Sequence, residues 1–210
     1  QDVIAIGHLF VEGEFYNTRV ISLAGPQAKK PRLVKTIIGA SVAELTEGEI
    51  VASSQGVRVI SGTVLWGNTA VGPYAYLGRY HQGVALLEEG TKNEFFLKNW
   101  MGLGIHRHSA TRAFLANFIH PSTYTFNTAL NGGPRSIMPI GCYEKVLAPY
   151  GVEATMLVRA IDINDTDQAK LLGILEFSEE DIALATYVCP GKNDFGPLLR
   201  RSLTKIEVEG

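Results

Sequence analysis

The sequence predicts an α+β protein, in which a β-rich first half is followed by a small helical bundle. Two observations carry this prediction. In the first half, short runs of β-branched and apolar residues are separated by glycine and proline turns, which is typical of strands. From Gly141 onward the apolar residues follow helical spacing, with polar caps between them. We therefore expect the tail of an upstream domain in residues 1–15, a β-rich domain in 16–100 and a mostly helical domain in 101–210.

The first half is organised around two strands and a short helix. Arg19–Leu23 and Leu33–Ile38 are strand-like runs, separated by a loop that begins with the turn-forming pair Gly25-Pro26. Ser41 and Glu44 have the spacing of a capping box, which predicts the start of a helix. Two strands and a helix cannot close a core by themselves, so later strands must complete the domain.

Further strands are predicted on both sides of this unit. Val57–Ile60 and Thr63–Trp66 are expected to complete a four-stranded sheet around the helix. Val84–Leu87 and Phe95–Leu97 flank a five-residue turn and predict a trailing hairpin. Val3–Ile6 is apolar throughout, which is typical of a strand buried on both faces, and we expect its partners to lie upstream.

Helices dominate the prediction for the second half. Ser109 is expected to cap a helix that runs to Ile119. Four more helices should follow: Ala154–Ile161, one that Asp165 caps, one that Ser178 caps, and Pro197–Glu207. Short links between four short helices favour an antiparallel bundle.

Composition excludes several classes of protein. A net charge of −2 argues against a general nucleic-acid binder, and 46% hydrophobic with 19% charged residues argues against disorder. No apolar run approaches the roughly 18 residues of a membrane-spanning helix. Two cysteines favour a reducing compartment over a disulfide scaffold. The chain begins without methionine or a signal-like segment, so we expect a piece of a longer protein.

Three groups of side chains resemble metal or cluster ligands but lack a full ligand set. Cys142 and Cys189 are far apart in sequence, whereas an iron–sulfur cluster needs four thiolates. His106 and His108 could be two ligands on a strand, but no second group completes them. Asp162–Asp167 lacks the glycine and the glutamate of a calcium loop and is better explained as a polar helix start. We therefore predict no catalytic, cofactor-binding or metal-binding residue in this chain.

An aromatic cluster and a basic loop remain as candidate contact sites. Tyr74, Tyr76 and Tyr80 lie beside Arg79 and His81. Such a cluster could stack on a flat ligand, but we favour the amphipathic edge of a core or an intrachain interface. The basic loop consists of Lys29, Lys30, Arg32 and Lys35. We favour a solvated loop there, with docking to a protein partner as the main alternative.

Motifs along the whole chain resemble one protein family. The pattern of Arg19–Thr46 is similar to the SLBB domain, a soluble-ligand-binding β-grasp module. The chain as a whole resembles the C-terminal half of the A subunits of bacterial Na+-translocating NADH:quinone reductases. The stretches that carry this resemblance are Gln1–Gly7, Ala75–His81, Asn131–Val146, Leu175–Lys192 and Cys189–Gly210.

The resemblance implies a fold and a function. It implies a β-grasp domain followed by a helical bundle like that of an iron–sulfur domain without its cluster. The complex would oxidise NADH, reduce ubiquinone and export Na+, using FAD, FMN, riboflavin and iron–sulfur centres. This chain would carry no cofactor and would dock onto the membrane-embedded B subunit at the cytoplasmic face of the bacterial inner membrane. Ubiquinone is a further partner that the resemblance suggests.

Two alternatives to this function stay open. The first is a free-standing SLBB module that binds a small ligand, although such a module gives no reason for the Cys189–Gly210 tail. The second is a degenerate iron–sulfur domain that still binds metal through Cys189. On the leading interpretation the role of the chain is structural, and we expect it to have no NADH:quinone reductase activity by itself.

Overall fold

The fold is taken from a computed structural model that describes residues 1–53, 56–90, 104, 108, 110, 114–130 and 135–209. The chain divides into two compact units. The first comprises Gln1–Lys92 with Phe126–Ala129, and the second comprises Asn93–Thr125 with Leu130–Gly210. Strands and helices together confirm the predicted α+β class.

The first unit begins with a helix, α1 (Asp2–Glu12), where the sequence predicted a strand at Val3–Ile6. Gly13 ends this helix in the left-handed conformation at φ 73°, and its N–H donates to the carbonyl oxygen of Leu9. The prediction was wrong because a run of four apolar residues does not distinguish a strand from one turn of a helix.

A five-stranded sheet forms the body of the first unit. Its strands are β1 (Thr18–Ala24), β2 (Arg32–Ile37), β3 (Val57–Ser61), β4 (Asn68–Thr69) and β5 (Gly83–Glu88). The order across the sheet is β2-β1-β5-β3-β4. All neighbours are antiparallel except β1 and β5, which run parallel with Ser22 opposite Gly83.

Strand β5 occupies the centre of this sheet, which differs from the prediction. Val84–Leu87 was expected to begin a separate hairpin, and its proposed partner Phe95–Leu97 lies outside the described residues. Thr63–Trp66 is a turn and not a strand, and the short β4 follows it. Gly25 permits the close passage of β1 beside β5, because a Cβ atom there would lie 2.3 Å from the carbonyl oxygen of Leu86.

A short helix, α2 (Val42–Thr46), covers one face of the sheet. As predicted, Ser41 caps it: the Glu44 N–H donates to Ser41 Oγ at 3.4 Å. The buried core of this unit lies between helix and sheet and includes alternate residues of the central strands, which share one face because strand side chains alternate. Its members are Ile21, Leu23, Ala28, Val42, Leu77, Val84 and Leu86.

The second unit is helical. Its described helices are α3 (Ala116–Ile119), α4 (Cys142–Leu147), α5 (Ala154–Ile163), α6 (Thr166–Leu171), α7 (Glu179–Val188) and α8 (Phe195–Glu209). The four predicted helices of the bundle are confirmed as α5 to α8, whereas α4 was not predicted. Phe126–Ala129 belongs to the first unit, where Asn127 forms an isolated parallel bridge with Glu88. Of the predicted helix from Ser109, the structure shows the last turn, and Ser109 itself lies outside the described residues.

Helix caps in the second unit agree with the sequence. The Gln168 N–H donates to Asp165 at the start of α6 at 3.1 Å, and Ser178 forms a capping box with Asp181 at the start of α7. The core between these helices contains Tyr143 of α4 and Phe195 of α8, whose rings meet edge to face with centroids 5.8 Å apart.

Candidate functional site

The segment from Val64 to Tyr80 presents an unusual number of exposed apolar and aromatic side chains. We call it the aromatic segment. The side chains concerned are 39 to 76% exposed: Val64, Leu65, Trp66, Val71, Tyr74, Tyr76 and Tyr80. No Asp or Glu occurs between Glu49 and Glu88, so no carboxylate of its own lies within this stretch. The sequence favoured the amphipathic edge of a core or an intrachain interface for Tyr74, Tyr76 and Tyr80, and in the structure these side chains are 58 to 76% exposed.

The backbone of the aromatic segment is fixed to the domain. The N–H of Val42 donates to the carbonyl oxygen of Ala75 at 3.0 Å, and the N–H of Leu77 donates to that of Ala40 at 2.9 Å. Leu77 is itself buried in the core. The segment is therefore held at the start of α2, and its tyrosines are displayed from an ordered backbone.

His81 anchors the far end of the segment. Its Nδ1 lies 2.8 Å from Ser61 Oγ, which also accepts the N–H of Gly78 at 3.3 Å. The indole ring of Trp66 lies against the imidazole, with centroids 5.8 Å apart. Burial lowers the pKa of His81 below its usual value, so the ring is neutral at physiological pH. This histidine is a structural part of the segment.

The basic loop is largely neutralised within the domain. Arg32 makes a bidentate ion pair with Glu49 at 2.7 and 2.8 Å, and Lys29 Nζ donates to the carbonyl oxygen of Gly48 at 2.8 Å. The hydrogen bond from Arg32 lowers the pKa of Glu49. These two cations are engaged, which weakens the docking role that the sequence left open for the loop.

A cleft beside α2 is the candidate small-molecule site of the first unit. Its volume is about 520 Å³. The residues that line it are mostly apolar, among them Val42, Ile50 and Val59, and include Glu44 and Glu47. Sequence reasoning did not find this cleft, because Val59, Ala70 and Ala75 complete the wall that residues 42–50 begin, and only the folded chain brings them together.

Both cysteines of the second unit are buried in its core. Cys189 Sγ accepts hydrogen bonds from the Tyr143 hydroxyl at 3.2 Å and from the Asn193 N–H at 3.5 Å. Burial raises the pKa of the Cys142 thiol and that of the Tyr143 phenol, so both stay protonated. Cys189 is thus a buried residue whose Sγ takes part in the hydrogen bonding of the core.

The other sequence-derived ligand candidates are placed in structural roles. His108 Nδ1 lies 2.6 Å from the Tyr187 hydroxyl and its ring stacks on Tyr187, while His106 lies outside the described residues. In the acidic stretch Asn164 ends α5 and Asp165 begins α6. Within the part of the chain that the structure describes, no group of three His, Cys, Asp or Glu side chains could hold a metal ion.

Comparison with known proteins shows what the chain is similar to. Residues 20–72 match a family model for an SLBB domain, described as the NQRA C-terminal domain. Over all 210 residues the chain is 52% identical to the A subunit of the Na(+)-translocating NADH-quinone reductase of Histophilus somni strain 2336. It is 51% identical over the same length to the A subunits of the enzymes of Vibrio alginolyticus and Pasteurella multocida.

The match to the SLBB family model thus lies within the first unit and covers β1, β2, the capped helix α2, β3 and β4. Along its whole length the chain is similar to the A subunits of Na(+)-translocating NADH-quinone reductases. It spans about half the length of the curated relatives it matches, 46% in each of the three named here. In the described ranges no helix has both the length and the apolar character needed to cross a membrane.

Proposed function

We propose that this chain is a structural and docking part of the A subunit in a Na+-translocating NADH:quinone reductase. The observation that carries the proposal is the sequence identity of 51 to 52% to such subunits, in alignments that cover all 210 residues of the chain. The complex would oxidise NADH, reduce ubiquinone and export Na+. Electrons would pass through FAD, FMN, riboflavin and iron–sulfur centres that other parts of the complex hold.

The proposed location is the cytoplasmic face of the bacterial inner membrane, with the membrane-embedded B subunit as the chief partner. The aromatic segment is the surface that best fits such a contact. Tyrosine, tryptophan and arginine are the residues most enriched where protein–protein binding energy concentrates. Trp66, Tyr76 and Tyr80 are displayed on a hydrogen-bonded backbone, so little conformational entropy is lost when a partner covers them.

A capture experiment tests the docking role. The tagged chain is incubated with membranes that contain the other subunits of the reductase, and the captured proteins are identified by mass spectrometry. We expect capture of the B subunit. Replacing Tyr74, Tyr76 and Tyr80 together by Ser should weaken capture roughly tenfold or more, because the loss of a single interface anchor typically exceeds about 1.4 kcal/mol.

Two control variants make this result specific. Leu171→Ser with Leu175→Ser removes exposed apolar side chains from the second unit and should leave capture unchanged. Lys30→Glu tests the basic loop and should also have little effect. If Lys30→Glu abolishes capture while the tyrosine variant does not, the docking surface is the basic loop. Absence of capture by the folded chain would contradict the proposal that these 210 residues hold the docking surface.

The chain should show no NADH:quinone reductase activity by itself. Turnover of NADH by the purified chain, with quinone as acceptor, would contradict a purely structural role. The same preparation, made without oxygen, should contain no iron. Stoichiometric iron that is lost in Cys189→Ala would favour the alternative of a metal-binding remnant.

A second candidate function rests on the cleft beside α2. A volume of about 520 Å³ lies within the range of small-molecule sites, and the lining is mostly apolar. Binding of a small apolar ligand there is the function of a free-standing SLBB module. Val59→Trp would fill the cleft, so loss of ligand binding with unchanged capture of the B subunit would separate the two functions.

A further inference from the structure

Helix α1 is apolar and yet none of its residues is buried. With 100° of rotation per residue, its most exposed apolar side chains fall on one continuous arc of the helix surface. These side chains are 58 to 85% exposed: Val3, Ile4, Ile6, Phe10 and Val11. We call them the α1 apolar arc. The arc is wider than the apolar stripe of an ordinary core-facing helix. A substantial apolar surface of α1 is therefore left exposed.

The opposite side of α1 faces its own domain. Ala5 and His8 lie on that side and are half-buried. His8 Nδ1 lies 3.1 Å from the carbonyl oxygen of Glu14, and its ring lies 5.1 Å from that of Tyr16. The helix therefore has a defined orientation, with one side against the domain and the apolar arc turned away from it.

The first turn of α1 is tied to strand β1. The side-chain amide of Gln1 donates to the carbonyl oxygen of Val20 at 3.0 Å and accepts the Val20 N–H at 3.3 Å. Asp2 pairs with the buried Arg19 and, at 3.5 Å, with Arg79. These bonds fix where the helix starts, but they leave the arc without cover.

Helix α1 is 11 residues long, and contact of its apolar side chains with water does not stabilise it. Helices of fewer than about 12 residues are marginal alone, and most helical stability in proteins comes from packing an apolar face. Large contiguous apolar surfaces on soluble proteins mark contact sites. The arc therefore indicates a packing partner.

We propose that the α1 apolar arc packs against the half of the A-subunit polypeptide that this chain does not span. The relatives continue for more than half of their length beyond the matched region, so the covering surface is available in the same molecule. The occupant is an apolar surface, because the arc offers it no charged or hydrogen-bonding side chain. This inference rests on the proposed identity of the chain as part of an A subunit and does not require docking to the B subunit.

Gly7 lies at the middle of the α1 apolar arc and gives the proposal a second observation. Nothing lies within 4 Å of a Cβ atom built at this position. A glycine there lets another backbone approach the helix closely, as glycines do at tight helix contacts. In the 210-residue chain by itself, a larger side chain would meet open space, whereas in the longer polypeptide it would meet the covering surface.

The test compares Gly7→Leu in the 210-residue chain and in a full-length A subunit that carries this sequence. In the 210-residue chain the substitution should raise the unfolding temperature or leave it unchanged, because leucine favours helix over glycine. In the full-length protein it should lower the unfolding temperature. Glu12→Leu is the matched control, since residue 12 lies on the opposite side of α1, and its effect should be the same in both lengths.

Hydrogen exchange provides a readout that does not depend on a variant. The amides of residues 3–12 should exchange roughly tenfold or more slowly in the full-length protein than in the 210-residue chain. Equal exchange in both lengths, or the same effect of Gly7→Leu in both, would overturn the proposal. So would protection that depends on protein concentration, which indicates a second copy, or protection that arises when other subunits are added.

Discussion

Cys189 shows how a single residue organises the core of the second unit. Its Sγ accepts hydrogen bonds from Tyr143 and Asn193, two residues that come from different parts of the chain. The Asn193 side-chain amide also donates to the carbonyl oxygen of Ser136 at 3.2 Å. A small apolar residue at position 189 would leave the Tyr143 hydroxyl buried without a partner, which is costly in a protein interior.

We predict that Tyr143 and Cys189 are energetically coupled. Tyr143→Phe should lower the free energy of unfolding by about 1 kcal/mol, because one buried hydrogen bond is lost. Cys189→Ala should lower the free energy of unfolding by about 1–3 kcal/mol more than Tyr143→Phe does, because it leaves the buried Tyr143 hydroxyl without a hydrogen bond and opens a cavity. The double variant should be less destabilised than the sum of the two, as measured by urea unfolding. Additive effects would contradict the coupling.

His81 makes stability depend on pH. Burial lowers its pKa in the folded state below 6.5, so the unfolded chain binds a proton more readily. The stabilisation is fully present above pH 6.5 and is lost as pH falls from there through the lower, folded-state pKa. Thermal unfolding at a series of pH values should show this loss in the wild type and a weaker one in His81→Gln.

At the scale of elements, the helix starts of the second unit depend on local side chains. Asp165 ends the turn after α5 and caps α6 through the Gln168 N–H. Asn164 adopts the left-handed conformation at φ 58°, and its side-chain oxygen accepts a hydrogen bond from Ser202 of α8 at 3.0 Å. The turn thus links three helices of the bundle.

Asp165→Ala should lower the free energy of unfolding by about 1 kcal/mol, because the first turn of α6 loses its cap. Asp165→Asn is the matched control and should be nearly neutral, since asparagine caps helices about as well as aspartate. Chemical denaturation followed by far-ultraviolet circular dichroism measures both. A large loss in the Asn variant would show that the negative charge, and not the cap, stabilises the turn.

At the scale of the whole molecule, each unit has a core of its own. The core of the first unit is built around Leu23 and Leu86, and that of the second around Leu157, Ile161 and Leu199. The second core is the larger of the two among the described residues. Because burial of apolar surface is the main source of stability, we expect the second unit to be the more stable.

Calorimetry should therefore resolve two unfolding transitions. Leu86→Ala should lower the midpoint of the earlier one, and Leu157→Ala that of the later one, each by removing about 2–5 kcal/mol of core packing. If either substitution shifts both transitions together, the units unfold as one cooperative body and the assignment of separate cores to separate transitions is wrong.

Local chemistry made much of the fold predictable. Ser41, Asp165 and Ser178 were identified as helix caps, and each performs that role, because capping depends on hydrogen bonds within three residues. The runs at Arg19–Leu23 and Val57–Ile60 were identified as strands for a similar reason: their β-branched pattern is local.

Contacts between residues that are far apart in sequence determined the features of the fold that local patterns did not predict. The position of β5 in the centre of the sheet depends on pairing Ser22 with Gly83, which no local pattern records. Whether Tyr76 faces a core or solvent depends on how its backbone is tied to the start of α2. The sequence by itself determined the caps, most of the strands and the similarity to A subunits of the reductase. Tertiary structure determined which apolar side chains are left exposed, because burial is a property of the packed chain and not of any segment.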